Sequence, residues 1–239
     1  MKKKGYTYCI SDIHNDYRSF CAMCKEISFS DSDQMYIIGD IFDRGLNPEP
    51  VELYHEISMT SNIFPIMGNH DKWLLEYLIE YLEGKSTAYS MPYRYNTFGI
   101  LEQQLTRDEM YQLAVWIDQM PLQMDIEDGN GKKYLLAHAQ TFLPVDKVAD
   151  ESAYLMGRFL NQEYLLNGWG EYISVIGHYN SDILYQWLDE NRTAIDAMVI
   201  FSNSKQNVFG TDCGNAYRGI DRRGRLGCLR LEDKYCFYV

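Results

Sequence analysis

Met35-Tyr36-Ile37-Ile38-Gly39-Asp40-Ile41-Phe42-Asp43-Arg44-Gly45 is an apolar run that stops at a glycine and an acid, and the way it stops decides the fold. A short apolar run bounded by glycine and charge reads as a buried strand. The pattern recurs on both sides. Tyr8-Cys9-Ile10-Ser11 ends at Asp12-Ile13-His14, and Ile63-Phe64-Pro65-Ile66-Met67 ends at Gly68-Asn69-His70-Asp71. Tyr134-Leu135-Leu136-Ala137 ends at His138, and Ile173-Ser174-Val175-Ile176 ends at Gly177-His178. Only five histidines are present, and four of them sit at these ends. Strand tips that converge on one crevice would gather Asp, His and Asn donors. That mixture suits hard-to-borderline divalent ions such as Mn, Fe and Zn. The chain therefore reads as a metalloenzyme.

Between the first runs lie helix patterns. Phe20, Met23, Cys24 and Ile27 follow Asp16, a suitable cap, and Val51, Leu53, Tyr54 and Ile57 follow Asn47-Pro48-Glu49-Pro50. Strand–helix alternation of this kind predicts βαβ units. Residues 72–131 break the rhythm: an apolar helix over 73–82, a polar Tyr-rich loop over 86–98, and a second helix over 107–119 stopped by Pro121. We read them as a helical insertion within a single domain, 1–239. Leu122 to Ile126 alternates as a strand leading to the hairpin turn Asp128-Gly129-Asn130-Gly131. Short strands then follow at 197–201, 208–211, 226–231 and 235–239, which suggests a second, largely antiparallel sheet.

Composition bounds the rest. A chain of 239 residues, 46% hydrophobic, is long enough for a sizeable core. No apolar run is long enough to span a bilayer, and no apolar segment follows Met1-Lys2-Lys3-Lys4-Gly5 as a secretory signal would require. The expectation is a cytoplasmic protein without a membrane partner. A formal charge of −12 disfavours nucleic acid as a partner. Arg218, Arg222, Arg223, Arg225 and Arg230 are read as a solvated turn and strand face. Cys21 and Cys24 form a CxxC with no second pair at zinc-ribbon spacing, so buried thiols are expected over a redox or zinc site.

One Asp-x-His or Gly-Asn-His alone is weak, because a lone Asp or His at a strand end is more often a cap. Five such ends in order are a strong signal. Two ions sharing Asp40 could acidify a bridging water and clamp the oxygens of an in-line displacement. The succession Asp12-x-His14, Gly39-Asp40-x-x-Asp43-Arg44-Gly45, Gly68-Asn69-His70-Asp71, His138 and Gly177-His178 resembles the calcineurin-like metallophosphoesterases. Asp43-Arg44-Gly45, together with Asn180 where other members carry a second histidine, makes it most similar to the small bacterial and phage members of the phosphoprotein phosphatase group. The resemblance extends from about Tyr8 to Leu231. Ser11 and Asn15 stand where that group usually has glycine, Asp71 where its eukaryotic members have glutamate, and Tyr179 where threonine is usual.

The resemblance implies an α/β fold of two packed mixed β-sheets flanked by helices, a four-layer sandwich. It implies two divalent transition-metal ions, manganese in vitro with iron or zinc as alternatives. Asp12, His14 and Asp40 would hold one ion; Asp40, Asn69, His138 and His178 the other. Arg44 would bind substrate phosphate. His70, oriented by Asp43, would protonate the leaving oxygen. Arg158, the only arginine between His138 and His178, would be a second phosphate ligand. Asp212, in Gly210-Thr211-Asp212-Cys213-Gly214, would be structural. The Tyr-rich stretch 89–95 is either a substrate-facing lid or ordinary surface. The implied reaction is phosphoester hydrolysis by a bridging hydroxide. The leading substrate is a phosphorylated serine or threonine on a protein or peptide. A dinucleoside polyphosphate such as diadenosine tetraphosphate is the alternative, and a non-catalytic scaffold a further one.

Overall fold

The computed structural model describes residues 5–85, 97–146, 148–188 and 197–239. Strands β1 (Thr7–Ile10), β2 (Gln34–Ile38) and β3 (Ile63–Ile66) are parallel neighbours, joined by helices α1 (Tyr17–Glu26) and α2 (Pro50–Met59). These are the expected βαβ units. The Asp16 carboxylate caps α1 by accepting from Ser19 N–H at 3.0 Å, and α2 opens on Pro50, whose missing N–H costs nothing there.

Side-chain alternation along the strands builds two cores. Tyr8, Ile10, Met35 and Ile37 point towards Phe20, Met23, Leu53 and Ile57 of the helices. Cys9, Tyr36 and Ile38 point the other way and meet Tyr134, Leu136, Val175 and Phe209 of a second sheet. Burial on both faces explains why these runs read as continuously apolar rather than alternating. A third cluster, with Leu165, Leu184, Tyr185 and Phe201, covers the outer face of the second sheet. The result is the expected layering of helices, sheet, sheet and helices.

In the 72–131 stretch, α3 (Asn69–Leu82) packs on α5 (Arg107–Asp118), with an unforeseen α4 (Thr97–Gln104) between them. The stretch 89–95 lies outside the described residues. Helix α3 begins earlier than expected, so Asn69 and His70 occupy its first turn. The hairpin β4 (Gln123–Glu127) to β5 (Lys133–Ala137) turns where predicted, with the Asp128 side chain accepting from Asn130 and Lys132 N–H. Helices α6 (Glu151–Met156) and α7 (Gln162–Asn167) precede β6 (Ile173–Ile176), and α8 (Ser181–Trp187) follows it.

The late strands differ from expectation. β7 (Phe201–Ser202) and β8 (Val208–Gly210) join the second sheet, whose order is β4-β5-β6-β8-β7, with β5, β6 and β8 parallel. β9 (Gly227–Arg230) and β10 (Tyr235–Tyr238) instead return to the first sheet, where β9 pairs antiparallel with β1. Both sheets are therefore mixed, and the late strands make no separate antiparallel sheet. The buried-thiol reading also needs correction: Cys21 is exposed and Cys24 half-buried, because Phe20, Met23 and Ile27 take the core face of α1. No helix among the described residues is long and apolar enough to cross a membrane.

Candidate metal centre

The loops after β1 and β2 are laced together by their main chains. Asp12 N–H donates to Gly39 C=O, His14 N–H to Asp40 C=O and Asn15 N–H to Ile41 C=O, at 3.0, 3.0 and 2.8 Å. The lacing forces an unusual backbone. Asp12, His14, Asn15, Asp40, Asp43, Arg44 and His178 all adopt left-handed φ between 53° and 65°. Such positions carry strain that the surrounding structure must hold, and they cluster at functional sites. Asp71 supplies much of the holding. Its buried carboxylate accepts from the N–H groups of Gly68, Asp40, Ile41 and Phe42, at 2.9–3.2 Å. At the third position of α3 it also favours the helix N-terminus.

The side chains converge as two sets that share Asp40. In each of Asp12–His14–Asp40 and Asp40–His138–His178, the candidate ligand atoms lie within 4.8 Å of one another. Asp40 Oδ2 stands 3.8 Å from His14 Nε2, and Oδ1 stands 3.3 Å from His138 Nε2, so its two oxygens serve opposite sides. Asn69 Oδ1 is 2.9 Å from both His138 Nε2 and His178 Nδ1, which places it with the second set. The Nδ1 atoms of His14 and His138 face the carbonyls of Asp43 and Ile38, at 3.1 and 2.9 Å. Carbonyl partners of this kind fix the tautomer that leaves Nε2 free to ligate.

Burial and neighbouring charges oppose one another at these side chains. Burial alone would push Asp40 up, yet His138, His70 and His14 around it hold it well below the usual carboxylate range. Burial pushes down His138 too, but Asp40 and Asp12 outweigh this and raise it to about 10. Burial lowers His14 and His178 to about 3, and raises Asp12 with the help of Asp212. His138 Nε2 lies 2.9 Å from Asn69 Oδ1 and 3.3 Å from Asp40 Oδ1. The donor set and its second-layer carbonyls suit a divalent ion.

Around the ligands lies a cleft of about 240 Å³, bordered by Arg44, His70, Trp73, Met156, Tyr179 and Tyr217. His70 Nδ1 is 3.3 Å from Asp43 Oδ2, as the acid pairing requires, and the Trp73 ring lies against its imidazole. Arg44 donates to Tyr217 Oη at 3.1 Å. Arg158 does not reach the cleft. Its side chain is 66% exposed and pairs with Asp150 at 3.0 Å. The reason is local: α6 ends at Gly157 in a left-handed turn, and Asp150 at the other end of that helix captures the guanidinium. Met156 lines the cleft in its place. The C-terminal arginines are also committed elsewhere. Arg218 donates to Ser19 Oγ, Arg223 pairs with Asp182 and Asp221, and Arg230 pairs with Asp233.

Two of the bordering aromatic residues, Trp73 and Tyr217, are not marked as site residues by the sequence. Trp73 lies one helical turn after His70, which is a readable signal once the helix start is known. Asp212 had been read as structural, yet it lines the cleft while accepting from Gly214 N–H at 2.8 Å. Tyr217 has no local signal. It arrives on a 3₁₀ turn (Asn215–Tyr217) that is held by Asn215 donating to Ile13 C=O at 2.8 Å.

A protein-family model described as calcineurin-like phosphoesterase matches residues 6–203. Among curated proteins the chain is similar to symmetrical bis(5'-nucleosyl)-tetraphosphatases. That of Acidovorax ebreus (strain TPSY) is 31% identical over 135 residues, and that of Buchnera aphidicola subsp. Schizaphis graminum (strain Sg) is 30% identical over 135. Each match covers 55% of this chain and 43% of the relative, so it spans less than half the relatives' length. Among solved structures, a candidate diadenosine tetraphosphatase superposes with a TM-score of 0.66 at 19% identity, covering 100% of this chain and 94% of the other. A metallophosphoesterase from Sphaerobacter thermophilus gives 0.57 at 15%, covering 99% and 87%. At these identities the likeness is one of fold.

Proposed function

The chain belongs to the calcineurin-like phosphoesterase family, and from that premise we propose that it cleaves the central phosphoanhydride of a dinucleoside tetraphosphate to give two nucleoside diphosphates. The observation that carries this reading is the rim of the cleft. Trp73, Tyr179 and Tyr217 bring three aromatic rings to the cleft beside the candidate ligands, and Arg44, which donates to Tyr217 Oη, lines it with them. Flat rings suit nucleobases, and a guanidinium suits a phosphoryl oxygen. The curated relatives' names point the same way.

Two bound divalent ions would neutralise the polyphosphate and acidify a water at neutral pH. Asp12, His14, Asp40, Asn69, His138 and His178 would hold them. Arg44 orients the phosphoryl group that is attacked. His70 hands a proton to the departing oxygen, and Asp43 keeps the imidazole turned for that transfer. Arg158 has no part in this scheme.

Phosphoserine or phosphothreonine in a protein is the second reading, and the Asp43–His70 pair favours it. A serine alkoxide needs a proton far more than a diphosphate does, so such a pair is of most use to a monoesterase. A side-by-side assay with Mn decides. Diadenosine tetraphosphate should be hydrolysed with the higher kcat/KM and yield ADP alone. Faster turnover of phosphopeptides would reverse the order, and turnover of neither would favour the non-catalytic scaffold.

A further inference from the structure

Thr97, the first residue of α4, is fully buried and lies in the stretch that sequence alone assigns to a polar loop. Its hydroxyl oxygen accepts two hydrogen bonds: Asn15 Nδ2–H donates at 2.8 Å and Asp43 N–H at 3.1 Å. These cross 82 and 54 residues of chain, so helix capping does not account for them. Both donors belong to left-handed residues in the two laced loops, Asn15 at φ 61° and Asp43 at φ 65°. Asn15 directly follows the ligand His14.

Asp43 is the busier partner. Its carboxylate faces His70 Nδ1, and its carbonyl faces His14 Nδ1 at 3.1 Å. Its N–H is the remaining polar handle of that residue, and Thr97 holds it. Left-handed backbone turns an N–H out of any regular ladder, so a buried one needs an acceptor from elsewhere in the fold, and for Asp43 that acceptor is the Thr97 hydroxyl. Remove the acceptor and the Asp43 peptide is free to rotate. That rotation carries the carboxylate away from His70.

We propose that Thr97 is a positioning residue for proton donation: through one hydroxyl it fixes Asp43 and thereby aims His70 at the leaving oxygen. The helical insertion is thus wired into the chemistry by a single atom. The inference rests on His70 serving as the acid in the reading above.

The test is Thr97→Val, which keeps the shape and deletes the acceptor, with Thr97→Ser as the rescue. Both are assayed with Mn on substituted phenyl phosphates of graded leaving-group strength. Thr97→Val should lower kcat on phenyl phosphate on the order of 10-fold and on 2,4-dinitrophenyl phosphate by no more than about twofold, because a good leaving group needs no proton. Metal content should stay at the wild-type value, and Thr97→Ser should restore the wild-type slope. Thr97→Val added to Asp43→Asn should cost nothing further, since both act through the contact of the Asp43 carboxylate with His70. Equal losses across the series, loss of metal, or full additivity with Asp43→Asn would overturn the proposal. A His70→Asn control with an unchanged slope would remove the acid itself and take the proposal with it, which separates that failure from a failure of Thr97 alone.

Discussion

Gly68 should tolerate no side chain. Its φ is −99°, which any residue adopts, so the constraint is space rather than conformation. A Cβ there would lie 2.2 Å from Asp40 N and 2.3 Å from Asp40 Oδ1, with Asp71 Oδ2 at 3.0 Å. Ordinary contact begins near 3.4 Å, so Asp40 would have to retreat by roughly 1 Å, and the atom that retreats is backbone. A misplacement of this size costs on the order of 10² in rate, and overpacking of this kind costs about 1–3 kcal/mol of stability. Gly68→Ala should therefore bind fewer than two ions by elemental analysis, melt several degrees lower, and lose about 10²-fold in kcat. Gly99→Ala is the control. Nothing lies within 4 Å of a Cβ built there, and a helical alanine should stabilise by about 0.5–1 kcal/mol. A Gly68→Ala protein that keeps two ions and most of its turnover would refute the view that Asp40 is sterically locked.

Metal affinity should rise about tenfold per pH unit between about 7 and 10 for the proton that His138 must release. The sign follows from a folded pKa raised above the ordinary 6.5: without metal, the charged His138 stabilises the fold below that value, and this is lost as pH rises through about 10. Calorimetry in buffers of different ionisation enthalpy counts the released proton, and finding none would reject the assignment. Arg44→Ala should lower kcat/KM by about 10–10²-fold, whereas Arg158→Ala should stay within about twofold because its exposed pair with Asp150 contributes little. The opposite ranking would return Arg158 to the cleft. Asp40→Asn should leave at most one ion per chain in elemental analysis, and retention of both would end its bridging role.

The candidate metal ligands that the structure brings together were legible because each group follows a strand, and a strand end is a local signal that needs no partner. The helix over 107–118 was legible for the same reason, since Thr106 and Glu109 form a capping box within four residues. What could not be read depends on distant encounters. Nothing near β9 says that it will border β1, because strand pairing is decided across the whole chain. Helix α4 was missed because Thr97-Phe98-Gly99-Ile100 carries a glycine and little periodicity. It is anchored instead by Thr97 reaching Asn15 and Asp43. Arg158 was misplaced because counting arginines between two histidines ignores the turn at Gly157 that sends the side chain outward.

The return of β9 to the side of β1 has a consequence for how the protein is made. β1 brings the first ligand loop off the ribosome, yet that loop is finished by residues made far later. Ser11 bonds Thr211 across 200 residues and Asn215 bonds Ile13 across 202. At 5–20 residues per second the wait is about 10–40 s. During synthesis Asp12 and His14 therefore sit in a half-bordered sheet, and their loop is completed only after residues 211 and 215 have emerged. A defect in the final two strands would then show itself first as a protein that never loads its metal.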